Sequence, residues 1–269
     1  MAIPTRTKLG RQIRYGFVAQ DGCSLLSVDY SQVEMRVAAS DAGDDRMIQV
    51  FNSGQDIHTQ TAAMMFGLDE QNVEEKKHRY PAKRVGFGIL NDITAEGLQR
   101  ELVMGGADER DWPVSECQAA IDAWFEVYRG IAKYMRANRE FALRNGYVVD
   151  MWGRRRFVPG VHASDNYIRE DSLRAAGNAP IQMGAQGVIK QAMGDLVPYY
   201  RQVRAEGHVW NPLIQIHDDI VMELDDRVLD WSIPIIVGVM EGAARGRMKV
   251  ALEVEPKVGK RWGSMEEWW

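Results

Sequence analysis

The chain has 269 residues, 45% of them hydrophobic and 26% charged, a composition that excludes general disorder and leaves room for one large domain or two smaller ones. Its net charge of -5 argues against a protein that simply coats nucleic acid, because such binding rests on Lys and Arg displacing condensed counterions. No apolar run of about eighteen residues is present, and Arg6, Lys8, Arg11 and Arg14 stand where a signal peptide would have its apolar core, so no membrane partner is expected. Cys23 and Cys117 lie far apart and outside any C-x-x-C spacing, and read as packed thiols rather than a disulfide or zinc site.

In chain order, residues 24–28 (SLLSV) read as a short buried strand. Val33, Val37 and Ala38 then recur at helical spacing from Ser31 to Ala42, which puts Asp29 where a strand hands over to a helix. Asp56 to Gly67 reads as a helix capped by its aspartate and closed by its glycine. Lys76 to Leu90 is helical, and Pro81 sets the start near Tyr80 or Pro81, since proline is tolerated in a first turn. Lys76, Lys77, Arg79, Lys83 and Arg84 form one basic cluster, and Arg154, Arg155 and Arg156 a second. Either is equally a solvated face or a nucleic-acid contact.

One long helix is predicted from Cys117 to Arg144, a hairpin from Gly146 closed around Trp152 and Gly153, and a further long helix from about Met183 to Arg204. Pro212 to Leu224 places two β-rich runs on either side of His217, Asp218 and Asp219, a hairpin with acidic residues at its tip. No repeat or Gly/Ser linker divides the chain, so a second subdomain must be inserted into the first.

Two carboxylates remote in sequence, one at a strand end and one on a hairpin tip, are what a two-metal site needs to clamp the attacking and leaving oxygens of an in-line phosphoryl displacement. Asp29 and Asp218 fit that description, although each taken singly also fits an ordinary turn or helix cap. Arg79, Lys83 and Phe87 are spaced by four, a step of about 40° around a helix axis, and so share one face. There two cations can meet a triphosphate while the ring stacks on a base. The other reading of that face is a basic exterior with Phe87 in the core.

The stretches SVDYSQVEMRVAAS around Asp29 and IQIHDDIVME around Asp218 closely resemble the first and third signature motifs of the family A DNA polymerases. Arg79, Lys83 and Phe87, followed by Asn91 and Asp92, stand at the second motif. IPTRTKLGRQIRYGF at the start, GRRR at Gly153 to Arg156 and NAPIQ at Asn178 to Gln182 extend the resemblance along the chain. It implies an α/β (α+β) fold: a right-hand polymerase palm with an antiparallel sheet (1–44 and 165–269) and an inserted helical fingers subdomain (45–164). The implied activity is template-directed addition of deoxynucleotides to a primer 3′-hydroxyl. Its partners would be primer-template DNA and deoxynucleoside triphosphates, its cofactor two Mg2+ ions or Mn2+, and its setting the cytoplasm of a bacterial or phage-infected cell.

By the same resemblance, Asp29, Asp218 and Tyr30 are metal ligands, and Asp29, Asp218, Asp219 and Lys83 are catalytic. Arg79, Lys83, Phe87, His58, Gln32 and Asn91 would meet the nucleotide, with Glu34 covering the place where a ribose 2′-hydroxyl would project. Arg154, Arg174, Asn178, Gln182 and His217 would contact DNA. Read singly, His58 is equally a satisfied structural histidine, and the polar residues of the last group equally cap or bridge buried helices.

Asp219 stands where the family has glutamate, Asn91 where it has a tyrosine that shields the templating base, and Asp92 where glycine follows. Met1 falls almost at the palm motif, so a split or truncated form is expected, completed by a second polypeptide that carries the family's thumb. Two further functions share these features: a non-catalytic DNA-binding or assembly subunit derived from a polymerase, and an RNA polymerase of the same fold. Glu34 separates the chain from the last of these.

Overall fold

The computed structural model describes residues 7–268 and divides into two compact units. One is built from Met1–Val33 (described from residue 7), Ala185–Gly246 and Leu252–Trp269 (described to residue 268), the other from Glu34–Gly184 and Arg247–Ala251.

The first unit holds an antiparallel sheet ordered β4-β5-β1-β6-β7, with β1 at Cys23–Tyr30, β4 at Trp210–Ile216, β5 at Asp219–Asp225, β6 at Val254–Gly259 and β7 at Glu266–Glu267. As the middle strand, β1 is longer than the apolar run alone suggests and is buried along most of its length. Leu26 and Val28 lie opposite Met222 and Ile220, all of them buried, and form one face. Leu25, Ser27 and Asp29 alternate onto the other, because successive side chains in a strand point to opposite faces. There Leu25 packs with Val221 and Trp262, while Ser27 and Asp29 give that face its polar end. Pro212 interrupts the register of β4, which an edge strand tolerates because its outer N–H groups need no ladder partner. α1 (Lys8–Tyr15) is capped by Thr7, and α10 (Leu229–Gly242) packs on β6.

The second unit is mainly helical. It comprises most of α2 (Val33–Ala42), then α3 (Asp45–Asn52), α4 (Ile57–Phe66), α5 (Tyr80–Leu90), α6 (Ala95–Met104), α7 (Val114–Val127) and α8 (Arg129–Asn145), the β2–β3 hairpin (Tyr147–Val149, Arg155–Phe157), and the first part of α9 (Asn166–Ala205). The capped helix expected from Asp56 to Gly67 is α4, with the Asp56 carboxylate accepting from Thr59 N at 3.0 Å and Gly67 in the left-handed region. α5 starts at Tyr80, as Pro81 requires, and is preceded by a π-helical turn over Glu75–Arg79.

Two expectations about helices need correction. The stretch from Cys117 to Arg144 is not one helix but two, broken at Tyr128, whose φ of -113° and ψ of 65° leave the helical region. The break lets the Tyr128 ring pack edge-on against buried Trp124 at 4.9 Å while its hydroxyl meets Thr61 Oγ1 at 2.7 Å. α8 is then capped from a distant segment: Asp44 Oδ2 accepts from Gly130 N at 2.8 Å while Oδ1 accepts from Met47 N at 3.0 Å. A Cβ on residue 130 would stand 2.8 Å from that carboxylate, so the close approach requires glycine.

The second correction concerns the helix expected from Met183, which begins at Asn166 and runs through Pro180. An interior proline costs a helix hydrogen bond and is tolerated where packing compensates. Here Ala176 and Ala179 are buried in a cluster with Ala142, Val148, Val158 and Val161. Among the described residues no helix is long and apolar enough to cross a membrane, and both cysteines are free and buried.

Candidate active site

In the sheet-bearing unit, the antiparallel register puts acids from three adjacent strands at one level. Asp29 near the end of β1 lies opposite Asp219 on β5 and opposite Glu255 on β6. Directly opposed residues share a face of the sheet. A two-residue loop, His217 and Asp218, joins β4 to β5, and Tyr30 N donates to Asp218 O at 3.2 Å. So short a loop needs a positive φ, and His217 supplies it at 53°. The loop thereby brings Asp218 to Asp29, and the two carboxyl groups share a hydrogen bond.

Burial, then the Asp218 and Asp219 carboxylates, push Asp29 up to about 7. Burial likewise raises Asp218 and Asp219. Asp219 is tied differently: Ser27 Oγ donates to its Oδ1 at 2.6 Å, two residues back on the same face of β1. The Tyr30 side chain is buried and its hydroxyl donates to Met240 O at 2.7 Å, so only its main-chain carbonyl is left for a metal. Among the described residues, no group of three or more His, Cys, Asp or Glu converges into a ready-made metal cage. What Asp29 and Asp218 present is two hard oxygen donors with unbalanced charge, the chemistry that suits Mg2+ or Mn2+ completed by other oxygen ligands. Gln32 has a φ of 54°, and its Oε1 is buried without a hydrogen-bond partner.

In the helical unit, His58 on α4 and Phe87 on α5 are brought together with their rings tilted by 45° and centroids 5.5 Å apart, and Lys83 Nζ lies 5.9 Å from the Phe87 ring. His58 is buried and its Nε2 has no hydrogen-bond partner. Burial, then Lys83, push this imidazole down to about 4. Arg79, at the end of the π turn, is held by Asp56 and by Glu75 at 3.1 Å. Glu34 lies half-buried in the first turn of α2.

A third group gathers at the end of α5. Asn91 donates from Nδ2 to Phe87 O at 2.9 Å, closing the helix, and Asp92 follows with a φ of 58°. Asn178 on α9 donates to Ile89 O at 2.9 Å and to Asp92, and Gln182 donates to Leu90 O at 3.2 Å. These amides satisfy carbonyls that a helix end leaves unpaired, which is the capping role allowed for them above. Asn178 Oδ1 stays buried and unpaired. Arg154 turns onto Asp150 and Met183 O, and Arg174 pairs with Asp171 at 2.9 Å. Arg174 also lies close enough to lower Asp92 electrostatically.

Sequence reasoning overlooked Ser27, Glu255 and the Asp56–Arg79 pair. Ser27 was legible as a polar residue two before Asp29 in an apolar strand; the strand pairing that places Glu255 left no local signal.

The sheet-bearing unit carries a cluster of carboxylates, and the helical unit carries His58, Arg79, Lys83 and Phe87 on neighbouring elements. The chain belongs to DNA polymerase family A, whose model matches residues 1–264. It is 37% identical over 265 residues to the thermostable DNA polymerase I of Thermus aquaticus, covering 98% of this chain and 30% of that protein. It is also 37% identical over 260 residues to DNA polymerase I of Deinococcus radiodurans, covering 97% of this chain and 26% of the relative. Among solved structures it is similar to the polymerase domain of Pol1 from M. smegmatis in complex with DNA primer-template and dNTP. That match has a TM-score of 0.85 and 30% identity, and covers 98% of this chain and 44% of that one. The chain thus spans less than a third of the length of these curated relatives.

Proposed function

We propose that this chain carries the palm and fingers of a template-directed DNA polymerase that adds deoxynucleotides to a primer 3′-hydroxyl, with the sheet-bearing unit as palm and the helical unit as fingers. The observation that carries this reading is the paired carboxyl groups of Asp29 and Asp218, on a β1 end and a β-hairpin loop, in a chain of family A. Asp29, Asp218 and the Tyr30 carbonyl would hold two Mg2+ ions, or Mn2+, and such ions stabilise charge on the attacking and leaving oxygens of phosphoryl transfer.

The chain's own residues do the rest. Arg79 and Lys83 bind the triphosphate, with the unpaired Nε2 of His58 beside them. Phe87 stacks on the incoming base and Glu34 excludes a ribose. Asn178, Gln182, Arg154, Arg174 and His217 contact primer-template DNA once the internal bonds of the first four are exchanged. We read the cytoplasm of a bacterial cell as the setting.

Extension of a labelled primer-template with Mg2+ and deoxynucleotides tests the reading. Asp29→Ala and Asp218→Ala, each checked for a melting temperature no lower than the parent's, abolish extension; extension at the parental rate by either overturns the reading. Equal incorporation of ribonucleotides removes Glu34 from its role. A non-catalytic DNA-binding subunit is the second reading, favoured by Asn91, whose side chain is folded back onto Phe87 O where the family carries an aromatic ring. It predicts tight primer-template binding without extension, even when a thumb-bearing polypeptide is added.

A further inference from the structure

The Arg79 guanidinium is divided between two carboxylates. Nε and Nη2 donate to Asp56, at 2.7 Å to Oδ2 and 3.3 Å to Oδ1, while Nη1 donates to both oxygens of Glu75, at 3.1 and 3.2 Å. A guanidinium carries its five N–H donors in a fixed planar fork, so an edge given to one acid is withheld from every other.

The two acids are not held equally firmly. Asp56 also accepts from Thr59 N at 3.0 Å and from Thr59 Oγ1 at 2.6 Å, the bonds that cap α4. Glu75 is 63% exposed, and among the described residues its carboxylate meets Arg79 alone. The adjacent acid, Glu74, is turned away to Lys77 at 2.9 Å. Glu75 and Arg79 stand at the two ends of the π turn that leads into α5. Lys83, one turn further along α5, meets the Phe87 ring rather than a carboxylate. After burial, Lys83 and then Arg79 act to lower His58, so these three basic groups lie together. Glu75 is thus the exposed acid at the edge of a basic group.

Replacing the Glu75 carboxylate at Nη1 by a phosphate oxygen exchanges one charge-assisted bond for another. The exchange costs little, because an exposed ion pair shifts an equilibrium by no more than about five-fold. Releasing Asp56 would in addition strip α4 of its cap. We propose that Glu75 is a displaceable counter-ion of Arg79, holding the guanidinium edge that an incoming polyphosphate takes and thereby setting how tightly that polyphosphate binds. Asp56 is the positioning residue, which keeps the Nε edge throughout. The inference rests on the reading of Arg79 as a ligand of the nucleotide triphosphate, and adds to it an acid that competes for the same donors.

Inorganic tripolyphosphate, titrated into the whole chain at low salt without metal and followed by calorimetry, tests this. Glu75→Gln binds it about two- to five-fold more tightly than the parent. Arg79→Gln binds it more weakly than the parent, and in that background Glu75→Gln gains nothing, as expected of residues that act only through each other. Glu75→Asp keeps the charge but is shorter by one methylene; it too gains affinity, whereas an acid acting only by its charge would stay at the parental value. No gain in Glu75→Gln, or the same gain with and without Arg79, overturns the inference. Should Arg79→Gln melt early, Glu75→Asp decides, and parental affinity in that variant overturns it. Weaker binding in Arg79→Gln without a gain in Glu75→Gln sinks the counter-ion role and leaves Arg79 as a triphosphate ligand. Undiminished binding in Arg79→Gln removes both. None of these outcomes depends on metal or primer, so the Asp29 and Asp218 extension test is read separately.

Discussion

Asp56 and Arg79 are joined by two contacts, Nε to Oδ2 at 2.7 Å and Nη2 to Oδ1 at 3.3 Å, while the same carboxylate caps α4. Partial burial works to raise Asp56, but the hydrogen bonds from Arg79 and Thr59 prevail and hold it well below the usual carboxylate range. Asp56→Ala removes both roles. The cap is worth about 1 kcal/mol, and a pair this exposed adds at most about 1 more. Asp56→Asn keeps the cap and loses only the charge. Urea unfolding should therefore show a loss of about 1–2 kcal/mol for alanine and under about 1 for asparagine; equal losses would refute the double role.

Asp29 and Asp218 set charge against charge. A carboxyl raised in the folded state, here to about 7, contributes no cost below its unfolded value near 4 and opposes folding increasingly as pH rises through the folded one. Asp29→Asn and Asp218→Asn should each raise the melting temperature above that of the parent at about pH 8 in chelator. Adding Mg2+ should then raise the parent's melting temperature and leave the variants nearly unmoved. A parent indifferent to Mg2+ would count against the metal assignment, whatever the variants do.

His58 is driven the other way. Its imidazole remains neutral in the folded protein down to about 4, whereas in the unfolded chain it titrates near 6.5. Between those values the unfolded chain binds the extra proton. Stability due to His58 is thus complete above about 6.5 and declines as pH falls toward 4, by on the order of 3 kcal/mol across the window. Denaturation midpoints for His58→Gln should fall less steeply over that range than the parent's. Parallel curves would show that the residue is protonated in the folded state.

Asp92 combines backbone strain with a raised carboxyl. Its φ of 58° is one that Asn and Asp tolerate better than most residues. Burial raises it to about 6, against the lowering effect of Arg139, Arg174 and Arg156. Its cost is absent below about 4 and present above about 6. Asp92→Asn keeps the left-handed tolerance and an acceptor for Asn178, so stability should decline less between these pH values than in the parent, with no loss at neutral pH. A destabilised variant at neutral pH would mean that the charge itself is needed by the surrounding arginines.

How much of this was legible in the sequence depended on how far the deciding contact lay along the chain. The caps at Asp56 and Gly67, the start of α5 set by Pro81, the strand bearing Asp29 and the hairpin bearing Asp218 all follow from residues within a few positions of one another. The break at Tyr128 did not, because Thr61 and Asp44, which reward it, lie 67 and 86 positions from the groups they meet. The extension of α9 back to Asn166 was hidden by Pro180, which reads locally as a helix breaker and is overruled by the alanines packed around it.

The sequence by itself determined most element types and, through three ordered motifs, the family, because periodicity, capping and motif spacing are local properties. Only the tertiary structure decided that Asp29 shares a hydrogen bond with Asp218 while Asp219 answers to Ser27, and that Asn178 and Gln182 close the end of α5. Strand register and helix packing make those choices, since a shift of one residue in either would send the same side chains to another face.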